Sequence, residues 1–342
     1  MSTYATSVLH ARPVFESELG TVTQITSAEL PVLHRLSLKR VVLQPGAVRE
    51  PQWNVDANQI SYCISGTVVV SVLGNGDSFS RFLVGPGQMY HVESGAVYHI
   101  ENVGDEVAEL VLVLRAESPR HFSFADSVAA MTDAVLGNTY DTDAAAFTAL
   151  PRGASAQIVS RDAAAVLSPG LRLPDARQFD VEAQNPPLAY PYGSAHLARR
   201  QFWPALEDLS MYSLRIGGQG MREPHWHPVT AELGYVQSGH GRMRVLSPEG
   251  RLEEYLLAPG DVYFIPRAYP HHIESLTDDG VHFLVFFDQP MPGDVGYRAT
   301  ATAFTPEVLA ASFGVPVEQL PPLPPTPIDP LIVPRRNPRD PA

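Results

Sequence analysis

Arg222-Glu223-Pro224-His225-Trp226-His227 lies 173 positions after Arg49-Glu50-Pro51-Gln52-Trp53-Asn54, and this pair of hexapeptides decides how the chain is read. Four of the six positions agree. The two that differ put His225 and His227 where the earlier stretch has Gln52 and Asn54. The same offset aligns Leu43–Val113 with Ile216–Phe286 without a gap. It sets Ser65-Gly66 over Ser238-Gly239, Pro86-Gly87 over Pro259-Gly260, and His99-Ile100-Glu101 over His272-Ile273-Glu274. It persists to Val135-Leu136 over Val308-Leu309. Shared apolar patterning alone cannot hold register across so many turns, so the chain is a duplicated domain.

Each copy reads as short strands punctuated by Gly and Pro, the pattern of an all-β sandwich or barrel. Val68–Leu73, Ala108–Leu114, Tyr235–Val236, Gly241–Leu246 and His282–Phe287 are rich in β-branched or aromatic residues. Each copy closes with a short helical segment, near Ser127–Leu136 and Pro306–Ala311. Thr305 before Pro306 suits a capped first turn. The expected division is an N-terminal domain over 1–151 and a linker over 152–194. A C-terminal domain follows over 195–319, then a proline-rich tail over 320–342. The tail reads as an extended arm packed on the body or on a neighbouring subunit.

The two copies differ in chemistry. His225 and His227, two apart on a strand, project to one face. Glu232 follows at an odd step, so a turn or bulge after Pro228 must restore its facing. His271 comes from a later strand. Three imidazoles and a carboxylate suit a divalent first-row metal. Mn²⁺ or Fe²⁺ fit an N₃O set with open positions, and Zn²⁺ or Ni²⁺ are alternatives. The bland reading, four unconnected polar residues, is disfavoured because the counterparts Gln52, Asn54, Gln59 and Tyr98 form a disarmed set at the same places. Those four read either as a relic whose polar groups bond one another or as a metal-free pocket for a small polar ligand. Trp226 is expected in the core, pointing away from the metal.

Composition bounds the rest. The chain has 342 residues, 44% hydrophobic and 18% charged, which suits two folded globular domains. A net charge of −13 argues against nucleic acid or an anionic membrane as partner. No apolar run is long enough to span a bilayer, and Met1 to Gly20 lacks the layout of a secretory signal. Cys63 is the only cysteine, which leaves no disulfide framework and no thiolate zinc site. A cytoplasmic location is the expectation.

Gly217–Gly239, with His225-x-His227, Glu232 and Gly239, resembles the first cupin motif. Gly260–Ser275, with Pro266 and His271, resembles the second, departing from it at Ala268 (Gly in the motif) and Ser275 (Asn in the motif). Tyr269-Pro270-His271-His272-Ile273-Glu274 and Thr305-Pro306-Glu307-Val308-Leu309-Ala310 further resemble the two-domain cupins that include the oxalate decarboxylases. The resemblance implies duplicated jelly-roll β-barrels and a Mn²⁺-dependent enzyme acting on a small carboxylic acid, with O₂ as a cosubstrate. It also implies a homo-oligomer. Arg222 stands where that family holds its substrate, and a guanidinium there can grip a carboxylate. Its counterpart Arg49 leaves open a role in packing or in an ion pair with the adjacent Glu50 or Glu223. The family's flexible Ser-Glu-Asn-Ser segment is replaced here by Gln289-Pro290-Met291-Pro292-Gly293-Asp294, so Asp294 is the candidate proton donor. Apolar residues lining the barrel, such as Phe264, Phe283 or Phe286, are expected to keep bulk water out, with the choice among them left open. Two other readings are a cupin oxidase or dioxygenase on another substrate, and a non-enzymatic, metal-dependent binder of a small acid.

Overall fold

The strands form from runs rich in β-branched and aromatic residues, several of them buried along nearly their whole length, and the computed structural model pairs its strands antiparallel. It describes residues 3–161, 169–326 and 328–339. Parts of the expected linker (162–168) and tail (327 and 340–342) lie outside the described residues.

The chain forms two compact units. One comprises Val8–Ala183 with Trp203–Leu209, the other Met1–Ser7, Gln184–Phe202 and Ser210–Ala342. These bounds run through the stretch 152–194, dividing it at Gln184. In the first unit a seven-stranded sheet has the spatial order Gln178–Asp180, Gln88–Val92, Gln59–Ser65, Ala108–Leu114, Ser37–Leu43, Gly20–Ile25, Phe15–Ser17. A six-stranded sheet in the same unit includes Ala47–Asn54, Val97–Asn102, Val68–Leu73 and Phe79–Val84. Val41, Leu43, Val70, Phe82, Ile100, Leu110 and Leu112 form its core, each at most 1% exposed. A fully buried aliphatic side chain of this size contributes about 1.5–3 kcal/mol. Cys63 belongs to that core, where burial pushes its thiol up to about 12.

The second unit repeats the arrangement. Ser210–Ile216, Glu232–Ser238, Asp261–Ile265 and Val281–Phe287 belong to its seven-stranded sheet. Gly220–Trp226, Gly241–Leu246, Leu252–Leu257 and His271–Ser275 belong to its six-stranded sheet. The 173-residue offset reaches further than the sequence match. Gly20–Ile25 corresponds to Gly193–Ala198, and Ala5–Ser7 to Gln178–Asp180. Ala5–Ser7, at the start of the chain, pairs with Asp261–Ile265 and completes an edge of the second unit's sheet. Both copies carry Gly after Ser at 66 and 239, at φ +77°. A Cβ there would lie 2.6 Å from Ala108 Cα in one and 2.2 Å from the Gly280 carbonyl oxygen in the other.

Helices close each copy. The first copy's segment is two short helices, Phe124–Ala129 and Asp133–Thr139, because Thr132 caps the second by accepting from the Val135 N–H. The second copy has Tyr297–Ala303 and Pro306–Phe313, with Thr305 as the cap of the latter. The tail returns as a strand, Ile332–Pro334, pairing with Gly220–Arg222 in its own unit.

Candidate metal centre

Facing sheets of the second unit supply the four candidate ligands. His225 lies on Gly220–Trp226 and His227 follows directly, while His271 opens the adjacent strand opposite His225. Glu232 opens a strand of the other sheet. The break that restores its facing is the segment 228–231, pinned by Asp288. The Asp288 Oδ1 accepts from the Thr230 hydroxyl at 2.6 Å and from the Ala231 N–H at 2.9 Å. Glu232 can therefore point into the sandwich despite its odd spacing from His227.

The four donor atoms lie within 4.8 Å of one another, close enough to share one ion. All four residues are at most 5% exposed. Each histidine presents Nδ1 to a backbone carbonyl: His225 to Glu223 at 2.8 Å, His227 to Gly293 at 3.1 Å and His271 to Tyr269 at 3.0 Å. A carbonyl only accepts, so each Nδ1 carries a proton and each Nε2 is the ring nitrogen left to face the centre. His227 Nε2 lies 2.8 Å and His271 Nε2 3.4 Å from Glu232 Oε2. The buried His271 Nε2 has no hydrogen-bond partner. Burial, then Arg222 and the neighbouring imidazoles, hold His225 well below its ordinary value. Burial raises Glu232, but His271 and His227 outweigh it and hold the carboxyl well below the usual range. Three ring nitrogens and an ionised carboxylate converging on one point are the donor set a divalent cation takes, so the residues fit one.

Tyr263, which the sequence reading missed, donates its hydroxyl to Glu232 Oε1 at 2.7 Å. Gly234 makes room for that ring, since a Cβ there would sit 2.1 Å from the Tyr263 Cε1. The spacing Glu232-x-Gly234 was the only available signal.

Arg222, buried beside the cluster, donates to Asp294 Oδ2, so the two candidate catalytic residues form one ion pair. It does not pair with Glu223, whose Oε2 accepts from the Arg298 N–H at 3.3 Å. Burial and the neighbouring Asp329 carboxyl push Glu223 up to about 8. Arg49 has no ion pair with Glu50 either, whose Oε1 accepts from Ser155 Oγ. The loop bearing Asp294 is tied down by its carbonyls. Pro292 accepts from Arg199 at 2.9 Å, and Gly293 holds His227. Asp294, half-exposed, closes over the Arg222 side of the site.

Tyr212, Leu214, Ile273, Val285, Phe287 and Leu331 line the cavity together with Arg222, His225, His227 and Glu232. The space open to a water's centre is about 10 Å³, roughly one molecule. The expected lining of Phe264, Phe283 or Phe286 is corrected. All three are buried, but Phe287 is the phenyl ring at the cavity, while Phe283 packs against Tyr263 with ring centroids 6.0 Å apart. Trp226 is corrected too. It points away from the metal site as expected, but it is half-buried on an outer groove against Tyr297 rather than in the core.

In the first unit Gln59 Oε1 accepts from Asn54 Nδ2 at 3.2 Å and from the Tyr98 hydroxyl at 2.9 Å, and Gln59 Nε2 donates to Ser61. The disarmed residues thus do bond one another.

The chain belongs to the cupin family, whose model matches residues 6–146 and 181–320. Among characterised relatives it is similar to the oxalate decarboxylase OxdC of Bacillus subtilis (strain 168), 27% identical over 295 residues, covering 81% of this chain and 73% of that protein. A probable oxalate decarboxylase of Arthroderma benhamiae is 23% identical over 307 residues, covering 87% and 76%. A solved structure of the Bacillus subtilis oxalate decarboxylase superposes with a TM-score of 0.86 at 22% identity, covering 98% of this chain and 88% of that one. Another solved structure of that enzyme concerns its Mn(II) centres.

Proposed function

We propose that this chain is a Mn²⁺-dependent bicupin enzyme acting on a small carboxylic acid, with an oxalate decarboxylase-like reaction. The observation that carries it is a preset His₃Glu cluster sharing one cavity with the buried Arg222, which is ion-paired to the more exposed Asp294. His225, His227, Glu232 and His271 hold the metal. When bound, the metal supplies a Lewis acid and an orienting centre for a carboxylate.

The chain's own residues supply the rest. The cavity is too small for a dicarboxylate while Asp294 occupies Arg222, so substrate entry moves the Asp294 loop. The substrate carboxylate then replaces Asp294 on the guanidinium, a charge-assisted contact in a desolvated site. Hydrogen oxalate loses CO₂ as its C–C bond breaks, and the electron pair left on the remaining carbon takes a proton to give formate. Asp294, released from Arg222 as a carboxylate, takes the proton of hydrogen oxalate and returns it to that carbon, so the balance is one CO₂ and one formate. Phe287, Val285 and Leu331 keep bulk water from the reacting carbon.

The test is turnover of oxalate by the Mn-loaded protein under air, reading formate, CO₂ and peroxide together. Formate with CO₂ is expected. Peroxide with CO₂ would replace the lyase reading with an oxidase, a change the altered Asp294 loop could produce. Absence of turnover with metal bound would retire oxalate as substrate. Domain bounds at 1–151 and 195–319, a cytoplasmic setting and a homo-oligomer belong to the same proposal. No helix among the described residues is long and apolar enough to cross a membrane.

A further inference from the structure

The first unit does more than lose metal ligands, because it also reverses the sign of the charge at the equivalent place. By the 173-residue offset, Tyr212 of the metal cavity corresponds to Lys39, Asp294 to His121 and Arg222 to Arg49. Arg49 is 1% exposed and Lys39 3%. Among the described residues neither makes an ion pair. The Arg49 Nη2 donates to Gln52 Oε1 at 3.2 Å, but its Nε and Nη1 have no partner, and neither does Gln52 Nε2. The nearby acids are committed elsewhere. Glu50 accepts from the Ser155 hydroxyl at 2.8 Å, and Asp126, the acid that acts on His121, accepts from the Ser155 N–H at 2.6 Å.

The cations sense one another. Burial, then Arg49, lowers Lys39 to about 7. Burial, then Lys39 and Arg49, lowers His121 to about 4. A guanidinium does not escape burial by losing its proton, so its charge is left without a counter-ion and its donors without acceptors. The surrounding groups, Asn54, Gln59 and Tyr98, are neutral and bond one another through Gln59 Oε1, which leaves the guanidinium charge unbalanced. What is missing is a negatively charged acceptor.

We propose that the metal-free domain is a binding site for a small carboxylate anion, gripped by Arg49 and Lys39 with the Gln52 amide as a further donor. The walls favour an ion of few atoms. Ile100, Leu112, Leu114 and Ile158, equivalent to residues lining the metal cavity, are at most 1% exposed. One fixed guanidinium and a lysine that charges readily beside an anion match a mono- or dicarboxylate. Arg thus serves one purpose in both copies, holding a carboxylate, and only the second copy adds a metal to act on it. This inference stands independently of the reaction at the second site.

Formate is the probe, titrated calorimetrically into the metal-loaded full chain. Arg222→Lys is included to weaken binding at the metal site. Formate binding that survives Arg222→Lys is expected, and adding Arg49→Gln or Lys39→Met should weaken it about tenfold or more, with metal content unchanged. Binding indifferent to both added substitutions, or none in Arg222→Lys, overturns the proposal. Equal binding of chloride or sulfate overturns the carboxylate class. Because a buried-Arg variant can misfold, hydrogen exchange on the wild type gives a second reading. Formate should slow amide exchange in Ala47–Asn54 and Ser37–Leu43, and an unchanged pattern there also overturns it.

Discussion

Arg222 and Asp294 meet in an ion pair, so at the scale of single residues the substrate must compete with a built-in carboxylate. A lysine at 222 keeps the charge but loses the planar fork that can hold a carboxylate by two parallel bonds. Arg222→Lys should therefore leave metal content full and cut kcat by roughly 10²–10³-fold, the cost of losing one preorganised donor. Turnover beside elemental analysis checks it, and unchanged kinetics would remove Arg222 from the mechanism. Ala268 poses a different residue-scale question. It stands where the second cupin motif has Gly, and its φ is +64°, the left-handed region that costs an L-residue about 1–2 kcal/mol. Its N–H donates to the His227 carbonyl at 2.9 Å, so the turn braces a ligand and does not relax freely. Ala268→Gly relieves that strain but loosens the unfolded chain, for a net gain of about 0.5–1 kcal/mol. A denaturant titration should show the midpoint rising, and a fall would mean the turn is unstrained. Ser275, the other departure, bonds the Thr277 carbonyl at 2.9 Å. Its counterpart Asn102 bridges the Leu43 and Glu106 carbonyls, so the shorter side chain gives up that bridge.

At the scale of elements, the strand Glu232–Ser238 carries both a candidate ligand and the gap that positions it. Gly234 is extended, so its absent Cβ matters for space and not for backbone freedom. Gly234→Ala should push the Tyr263 ring off Glu232 and lower metal affinity about 10–100-fold, as loss of an outer orienting partner does. Tyr263→Phe keeps the ring and should lose less. Competition with a chelator measures both, and full affinity in Gly234→Ala would refute the spacer role. The same strand marks the limit of what the sequence told. The offset and the His₃Glu set could be read because they depend on spacing and side-chain chemistry, whereas the strand was read only at Tyr235–Val236. Asp288 and Tyr263 could not be read. Tyr263 acts from a neighbouring strand and Asp288 from just past the end of another, and nothing in a linear pattern ties Asp288 to Thr230 or Tyr263 to Glu232. That Phe287 and not Phe286 reaches the cavity escaped the sequence for a related reason. On a strand buried along its whole length, hydrophobicity does not alternate, so facing is invisible. Trp226 was misplaced because a groove wall and a core look alike in one dimension.

For the whole molecule, the proposed homo-oligomer has to be built on exposed apolar surface. Each copy's helices carry one face of this kind, at matching positions. Val135, Tyr140 and Phe124 stand in the first, and Val308, Phe313 and Tyr297 in the second, all exposed. In the first unit Phe124, Tyr140, Phe147 and Leu150 line an open groove, and in the second Trp226, Tyr297, Phe304 and Phe313 line another. Exposed apolar grooves of this kind suit the association face that the proposed homo-oligomer requires. Duplication explains why there are two, since each copy inherited the same helices. A second copy of this chain is the economical occupant, because its own helices offer a face of the same character. A carboxylate placed at the centre of each face opposes burial without touching either barrel core. The paired substitution Val135→Glu with Val308→Glu should therefore reduce the assembly to the 37.3 kDa mass of one chain, as measured by light scattering. Far-ultraviolet dichroism should be unchanged. A wild type already at that mass, or an assembly that survives both carboxylates, would mean that these faces serve something other than self-association.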